Sequence, residues 1–349
     1  MQGVLSETLK IIIFAFLAVI VAVPYIKKVA IKIGAVDEPN KRKVHKKTTP
    51  RLGGLAIYLS FLLSYLVFSE PNTIMNAILI ATFLIILVGI VDDIKPLAVN
   101  IKFLVQIIAA LVLVLYGELL IEFIEIFGNY IEFGWWAYPI TIFFILLCIN
   151  CLNFIDGLDG LAAGVSSIYF ITIMIISIIM ANYNISFLIT TIMLGATLGF
   201  LVYNFNPASI FMGDTGSTFL GLIIASITLL GFKTVTLTSL FIPITLLLIP
   251  ILDTFLAVGR RKIKGQKITA PDKYHIHHQL LNKNISHRNV VLIIYLINGL
   301  FSLSIILFML EYIIYSYILY LILLFVISLF IVKTEVLFKK GVEKWNVFY

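Results

Sequence analysis

Charge is scarce in this chain: Asp, Glu, Lys and Arg together make up 12% of 349 residues, about half the share usual in soluble domains. That shortage excludes a soluble globular protein, because hydrophobic residues reach 61% and the mean hydropathy is +1.09. Cysteine is nearly absent as well. Cys148 and Cys151 form a C-x-x-C, but no second pair or nearby histidine completes a zinc site, so both read as free thiols on a helix. A cleavable leader is not expected either, because the basic residues follow the first apolar run instead of preceding it.

What fills the chain is a series of apolar runs, each long enough to cross roughly 30 Å of hydrocarbon as a helix. Only helices fit them, since lone strands would leave backbone groups unpaired in lipid. The runs lie at about 9–26, 53–69, 74–91, 101–117, 136–153, 161–180, 185–203, 216–232, 239–259, 290–309 and 312–332. The expected fold is therefore an all-α polytopic membrane protein with about eleven transmembrane helices, forming one integral membrane domain over 1–349. With the N-terminus outside and the C-terminus in the cytoplasm, the inner segments are 27–52, 92–101, 154–160, 204–215, 260–289 and the tail 333–349. Those segments, with Lys102, hold 23 of the 25 Lys and Arg residues, as the excess of positive charge on the cytoplasmic side requires. The net charge of +7 is thus spent on membrane orientation, and no nucleic-acid partner is expected.

No aspartate falls on the outer side of this layout, whereas most glutamates do. The outer segment Glu118–Trp136 alternates enough for a short external β-hairpin turning near Gly128-Asn129. On the inner side, Asp156 and Asp159 interrupt an apolar helix at i and i+3, where a carboxylate costs roughly 2.5–3.5 kcal/mol at a helix centre. A bound cation or polar cavity would compensate; a capped loop at a helix end is the plainer alternative. Asp92-Asp93 suits a metal or a general base, against the alternative of a polar stop at the bilayer boundary.

The stretch Phe211-Met212-Gly213-Asp214-Thr215-Gly216-Ser217 combines close-approach glycines, a helix N-terminus and one hard oxygen ligand, a combination suited to phosphate and magnesium. Three of five histidines, His275, His277 and His278, sit within four positions of a basic loop beginning Arg260-Arg261. A nucleotide diphosphate fits them better than zinc does, since no cysteine or further carboxylate beyond Asp272 lies at ligand spacing.

Five separated stretches carry a resemblance: Asp37-Glu38-Pro39-Asn40 with Arg42-Lys43-Val44-His45 and Pro50-Arg51-Leu52-Gly53-Gly54; Asp92-Asp93; Asn153-Phe154-Ile155-Asp156-Gly157-Leu158-Asp159-Gly160; Phe211 to Ser217; and His275-Ile276-His277-His278. In order, sidedness and layout the chain resembles the polyprenyl-phosphate N-acetylhexosamine-1-phosphate transferases of glycosyltransferase family 4. The wording around Asp253, Arg260-Arg261 and the histidines is similar to the branch using UDP-GlcNAc.

The resemblance implies a Mg2+-dependent enzyme, with Mn2+ as a substitute, in the cytoplasmic membrane. It would move a sugar 1-phosphate from a UDP-sugar to undecaprenyl phosphate and release UMP, starting a cell-wall polymer such as teichoic acid or O-antigen. It makes Asp214 the metal ligand with Asn153 as a second, and puts Asp92 and Asp93 at the lipid phosphate. Lys43, Asn153, Asp156, Asp159, Asn204, Phe211, His275, His277 and His278 would meet nucleotide and sugar, and a homodimer is compatible with it. Position 96, often acidic or basic in relatives, is Pro96 here, with Lys95 before it. UDP-MurNAc-pentapeptide is an alternative donor. An ion-coupled transporter is the alternative from another class, although its acidic residues would sit near the midplane on broken helices.

Overall fold

The computed structural model describes residues 2–38, 48–126, 129–232, 244–263, 276–281 and 285–333. The elements are α1 (Gln2–Ile33), β1 (Val36–Asp37), β2 (Thr49–Pro50), α2 (Gly53–Phe68), α3 (Thr73–Ile94), α4 (Val99–Leu111), β3 (Phe123–Ile126), β4 (Asn129–Glu132), α5 (Ala137–Ile155) and α6 (Leu161–Ile179). They continue with α7 (Ile185–Asn204), α8 (Gly213–Phe232), α9 (Leu248–Ile263), α10 (Ile276–Leu281), α11 (His287–Met309) and α12 (Ile313–Lys333). Among the described residues, eight helices are long and apolar enough to cross a membrane, and Gly53–Phe68 and Ile313–Leu329 are shorter apolar helices.

Helices outrun the apolar stretches. The first ends at Ile33 instead of residue 26, because Lys27-Lys28-Val29-Ala30 continue a helix as well as they leave a membrane. For the same reason the inner segment beginning at 260 opens with helical Arg260–Ile263. Residues 239–243 of the ninth run and the tail 334–349 lie outside the described residues. The hairpin forms, with β3 and β4 antiparallel and Phe123 opposite Glu132. Cys148 and Cys151 are free, buried thiols on α5.

The outward faces are apolar, as a lipid solvent demands. Leu5, Leu9, Ile13, Leu17 and Val21 lie exposed along α1, while Ala15, Val19 and Val23 are buried. Buried contacts use small residues: a Cβ on Gly195 or Gly199 of α7 would run into the α1 backbone at Ile12 or Phe16.

At the centre stands α8, 94% buried over its apolar window. It packs against α2, α3 and α5. Gly54 of α2 meets the backbone of Gly216, and Gly89 of α3 meets Thr215 so closely that a Cβ would lie 2.5 Å from its Cα. Helices α2 and α3 thus converge on the first turn of α8, around which the site is built.

Candidate functional site

The first turn of α8 is fixed by a backbone lock between two loops. Phe211 N–H donates to Pro50 O at 2.7 Å, Gly53 N–H to Phe211 O at 2.9 Å and Gly54 N–H to Met212 O at 2.8 Å. Gly213 adopts φ +73°, and any side chain there would strike Arg51 O and the Asp93 carboxylate. The lock brings Arg51 alongside α8, although 163 positions separate it from Asp214.

Asp93 completes the turn. Its Oδ1 accepts from Asp214 N–H at 3.0 Å, and its Oδ2 accepts from Thr215 N–H at 3.1 Å and Thr215 Oγ1 at 2.7 Å. A carboxylate from α3 therefore caps α8, where free N–H groups and the helix dipole favour negative charge. Its side chain has 0% exposure. Asp93, expected with Asp92 at the lipid phosphate, has both oxygens engaged by the first turn of α8.

Asp92 turns the other way. Oδ1 accepts from Leu97 N–H at 2.7 Å and Oδ2 pairs with Lys102 Nζ at 3.1 Å. The same Nζ stands 3.0 Å from Asp214 Oδ2, so one ammonium bridges two carboxylates. Arg51 distributes its guanidinium over three more contacts: Asp93 at 3.6 Å, Asp214 at 3.6 Å and Asp37 at 3.9 Å. Burial works against the Arg51 charge, but Asp93, Asp214, Asp37 and Asp156 outweigh it and raise its pKa. Sequence reasoning placed neither Arg51 nor Lys102 in the site. Lys102 could have been found as an isolated charge entering an apolar helix, and Arg51 by its place in Pro50-Arg51-Leu52-Gly53-Gly54.

Asn153 joins this centre through its Nδ2, which donates to Ser217 Oγ on α8 at 2.9 Å. Asp156 lies just past α5, half-buried. Burial raises its pKa to about 8, with Asp214, Asp93 and Asp159 adding to the rise and Arg51 opposing it. Asp159 and Asn204 form a neighbouring knot. Asp159 Oδ2 accepts from Asn206 Nδ2 at 2.9 Å and Ala208 N–H at 3.0 Å. Asn204 accepts from Gly160 N–H at 3.0 Å and donates to Ile210 O at 2.9 Å, so its amide ties the two loops together.

Phe211 stands half-exposed beside Gly213. Lys43 and His275 lie outside the described residues, and His277 and His278 are on α10, where the side chains are also outside the description. The chain on both sides of the histidine segment is nevertheless anchored here. Arg261 sits over the Phe154 ring at 6.0 Å, and Arg288 over the Phe205 ring at 5.6 Å.

No group of three His, Cys, Asp or Glu among the described residues could hold a metal ion by itself. The donors around Asp214 are oxygens from carboxylates and one amide. Such a set suits a hard cation that takes one or two carboxylates and completes its shell from phosphates and water, and it does not suit a closed zinc site.

These features define a multi-pass membrane protein with a compact cluster of opposed charges at the ends of buried helices, a setting for phosphate-bearing ligands. A family model described as glycosyl transferase family 4 matches residues 75–232. A Bacillus subtilis (strain 168) protein named probable undecaprenyl-phosphate N-acetylglucosaminyl 1-phosphate transferase is 44% identical over 300 residues, 84% of this chain and 83% of its own. The decaprenyl-phosphate N-acetylglucosaminephosphotransferase of Mycolicibacterium smegmatis is 34% identical over 310 residues, covering 80% of this chain and 76% of its own. The undecaprenyl-phosphate alpha-N-acetylglucosaminyl 1-phosphate transferase of Escherichia coli (strain K12) is 27% identical over 279 residues, with 77% and 75% covered.

The chain belongs to glycosyl transferase family 4, the superfamily of polyprenyl-phosphate N-acetylhexosamine-1-phosphate transferases, in the branch of the undecaprenyl-phosphate N-acetylglucosaminyl 1-phosphate transferases.

Proposed function

We propose that this protein transfers GlcNAc 1-phosphate from UDP-GlcNAc to undecaprenyl phosphate at the cytoplasmic face of the membrane, releasing UMP and starting a cell-wall polymer. The observation that carries the reading is the cluster of Arg51, Asp92, Lys102 and Asp214 at the first turn of α8. An oxygen of the lipid phosphate forms a bond to the sugar-bearing phosphorus, and the bond from that phosphorus to the UMP oxygen breaks. Two anions must approach for this, and unit charges at 4 Å repel by about 4 kcal/mol at an effective dielectric of 20.

Arg51 and Lys102 offset that repulsion. Because both are already held by carboxylates, their positions cost little reorganisation when the phosphates arrive. Asp92, fixed by Leu97 N–H and Lys102, acts on the lipid phosphate. Asp93 acts through α8: by capping it, it aims Asp214. Asp214 would hold Mg2+, or Mn2+ in its place, with Asn153 beside it. When bound, that cation would neutralise phosphate charge and stabilise the leaving UMP.

Phe211 offers a ring for the uracil, while Asp156 and the loop tied by Asp159 and Asn204 shape the nucleoside and sugar pocket. Lys43, His275, His277 and His278 contact phosphates and sugar from the flanking loops; the anchoring of Arg261 and Arg288 beside the site supports this.

The eleven-span layout with the N-terminus outside and one transferase domain over 1–349 is part of the proposal, supported by the distribution of Lys and Arg. GlcNAc is preferred over MurNAc-pentapeptide because the relatives' names carry it. A transporter is disfavoured because the acidic residues gather at helix ends. The test is incubation of purified protein with Mg2+, undecaprenyl phosphate and a panel of UDP-sugars. UMP release that needs the lipid and prefers UDP-GlcNAc is expected, and release indifferent to lipid, or none with any sugar, would overturn the proposal.

A further inference from the structure

The loop from Asp156 to Gly160 is held from outside by a helix that begins beyond the matched region 75–232. Asp159 N–H donates to His287 Nε2 at 2.9 Å. Two turns further along α11, the Tyr295 hydroxyl donates to Gly160 O. The Tyr295 ring occupies the space that any side chain at Gly164 would need, so α6 and α11 meet through it. Gly160, at φ +79°, is the residue where the chain turns from the loop into α6. Two side chains of one helix thus hold two peptide groups of the turn carrying Asp159, through the N–H of Asp159 and the C=O of Gly160.

The bond to His287 has a chemical condition. A backbone N–H can be accepted only by an unprotonated ring nitrogen, so the imidazole must be neutral with its proton on Nδ1; the imidazolium has no acceptor. Protonation at Nε2 would break the bond and turn two donors toward each other.

We infer that His287 and Tyr295 are positioning residues for the nucleotide-sugar half of the site, and that His287 serves only while Nε2 carries no proton. The inference rests on the transferase reading. Among charged and titratable groups, Asp159 acts on His287 through space, and Arg288 and Tyr295 share its helix. Of the elements packed on α11, α6 carries no charged residue but has Tyr169, α10 carries His277 and His278, and α12 has several tyrosines and ends at Lys333. Nε2 gains its proton as pH falls, so the clamp opens on the acid side.

The test compares the parent with His287→Ala, His287→Gln and Tyr295→Phe, each as full-length protein in detergent. The first readout is hydrogen–deuterium exchange of the peptide spanning Asp159, corrected for intrinsic rate, between about pH 5.5 and 8. Parent protection should fall toward acid. His287→Ala should lose about tenfold at pH 8, and His287→Gln, whose amide oxygen accepts without titrating, should stay protected and flat with pH. Tyr295→Phe should lose protection at the following amides with the parent's pH dependence intact.

The second readout is kcat/KM. His287→Ala should lower it for the UDP-sugar by at least about tenfold, with KM for the lipid changed by less than about twofold. His287→Gln should restore it at pH 8 and move the acid limb to lower pH. Equal protection in all four proteins, an unchanged acid limb in His287→Gln, or lost protection with no change in kcat/KM would each overturn the inference. A parent that releases no UMP with any sugar refutes the transferase proposal instead, and the exchange readout still decides whether the clamp exists.

Discussion

Asp93→Ala separates the two members of the Asp92-Asp93 pair. The substitution removes the acceptor for Asp214 N–H, Thr215 N–H and Thr215 Oγ1. The hydroxyl can rotate to a backbone carbonyl, but the two N–H groups stay buried in the convergence of α2, α3 and α8. At about 1–3 kcal/mol for each buried donor left unsatisfied, the loss is about 2–6 kcal/mol. Arg51 also loses one of its three carboxylate neighbours. Asp93→Asn keeps one acceptor oxygen and turns an amide N–H toward the other donors, so it should cost about 1–3 kcal/mol.

Asp92→Ala gives up the bond to Leu97 N–H while Lys102 keeps Asp214, a loss of about 1 kcal/mol. With about 2–4 °C per kcal/mol, thermal unfolding of the detergent-solubilised protein should fall by about 4–24 °C in Asp93→Ala and by less than about 4 °C in Asp92→Ala. UMP release should be lost in both. An Asp93→Ala protein melting within about 2 °C of the parent, or an Asp92→Ala protein less stable than it, would refute the division of roles.

Three other outcomes follow from the same geometry. Gly54→Ala should prevent stable insertion, seen as loss of monodisperse protein on gel filtration, because its Cβ would overlap the Gly216 backbone, which cannot turn aside. Lys102→Gln leaves Asp92 and Asp214 without their shared cation, so Mn2+ binding followed by paramagnetic resonance should tighten while kcat falls at least about a hundredfold. Asp156 has its pKa raised from 3.8 to about 8. The folded state therefore holds a proton that the unfolded state has released between those values, and stability should decline as pH rises through that window. Asp156→Asn should abolish this decline, melting near the parent at low pH and above it at pH 9, which a pH series of melting curves checks.

The helices were legible because apolar runs report where lipid is, and the hairpin because its alternation does. Helix ends were not: Lys27 to Ile33 leave the hydrocarbon without leaving the helix. In the site, Asp92, Asp156 and Asp214 stood out because a carboxylate beside an apolar helix has a cost that composition reveals. Arg51 and Lys102 did not, because positive charge beside such helices is expected for orientation alone, and their meaning depends on Asp93 and Asp214, which lie 42 to 163 positions away. The capping role of Asp93 is invisible for the same reason, since the helix it caps begins 120 positions later.

The central claim is that one sugar 1-phosphate passes from nucleotide to lipid at the first turn of α8. The most direct measurement uses UDP-GlcNAc labelled in the sugar-bearing phosphate and, with a second isotope, in the uracil, with product in the lipid phase and UMP in the water phase counted together. Equal amounts of labelled lipid and UMP are predicted from the parent, and neither from Asp214→Asn inserted at normal levels. UMP without labelled lipid, or undiminished transfer by Asp214→Asn, would contradict the account.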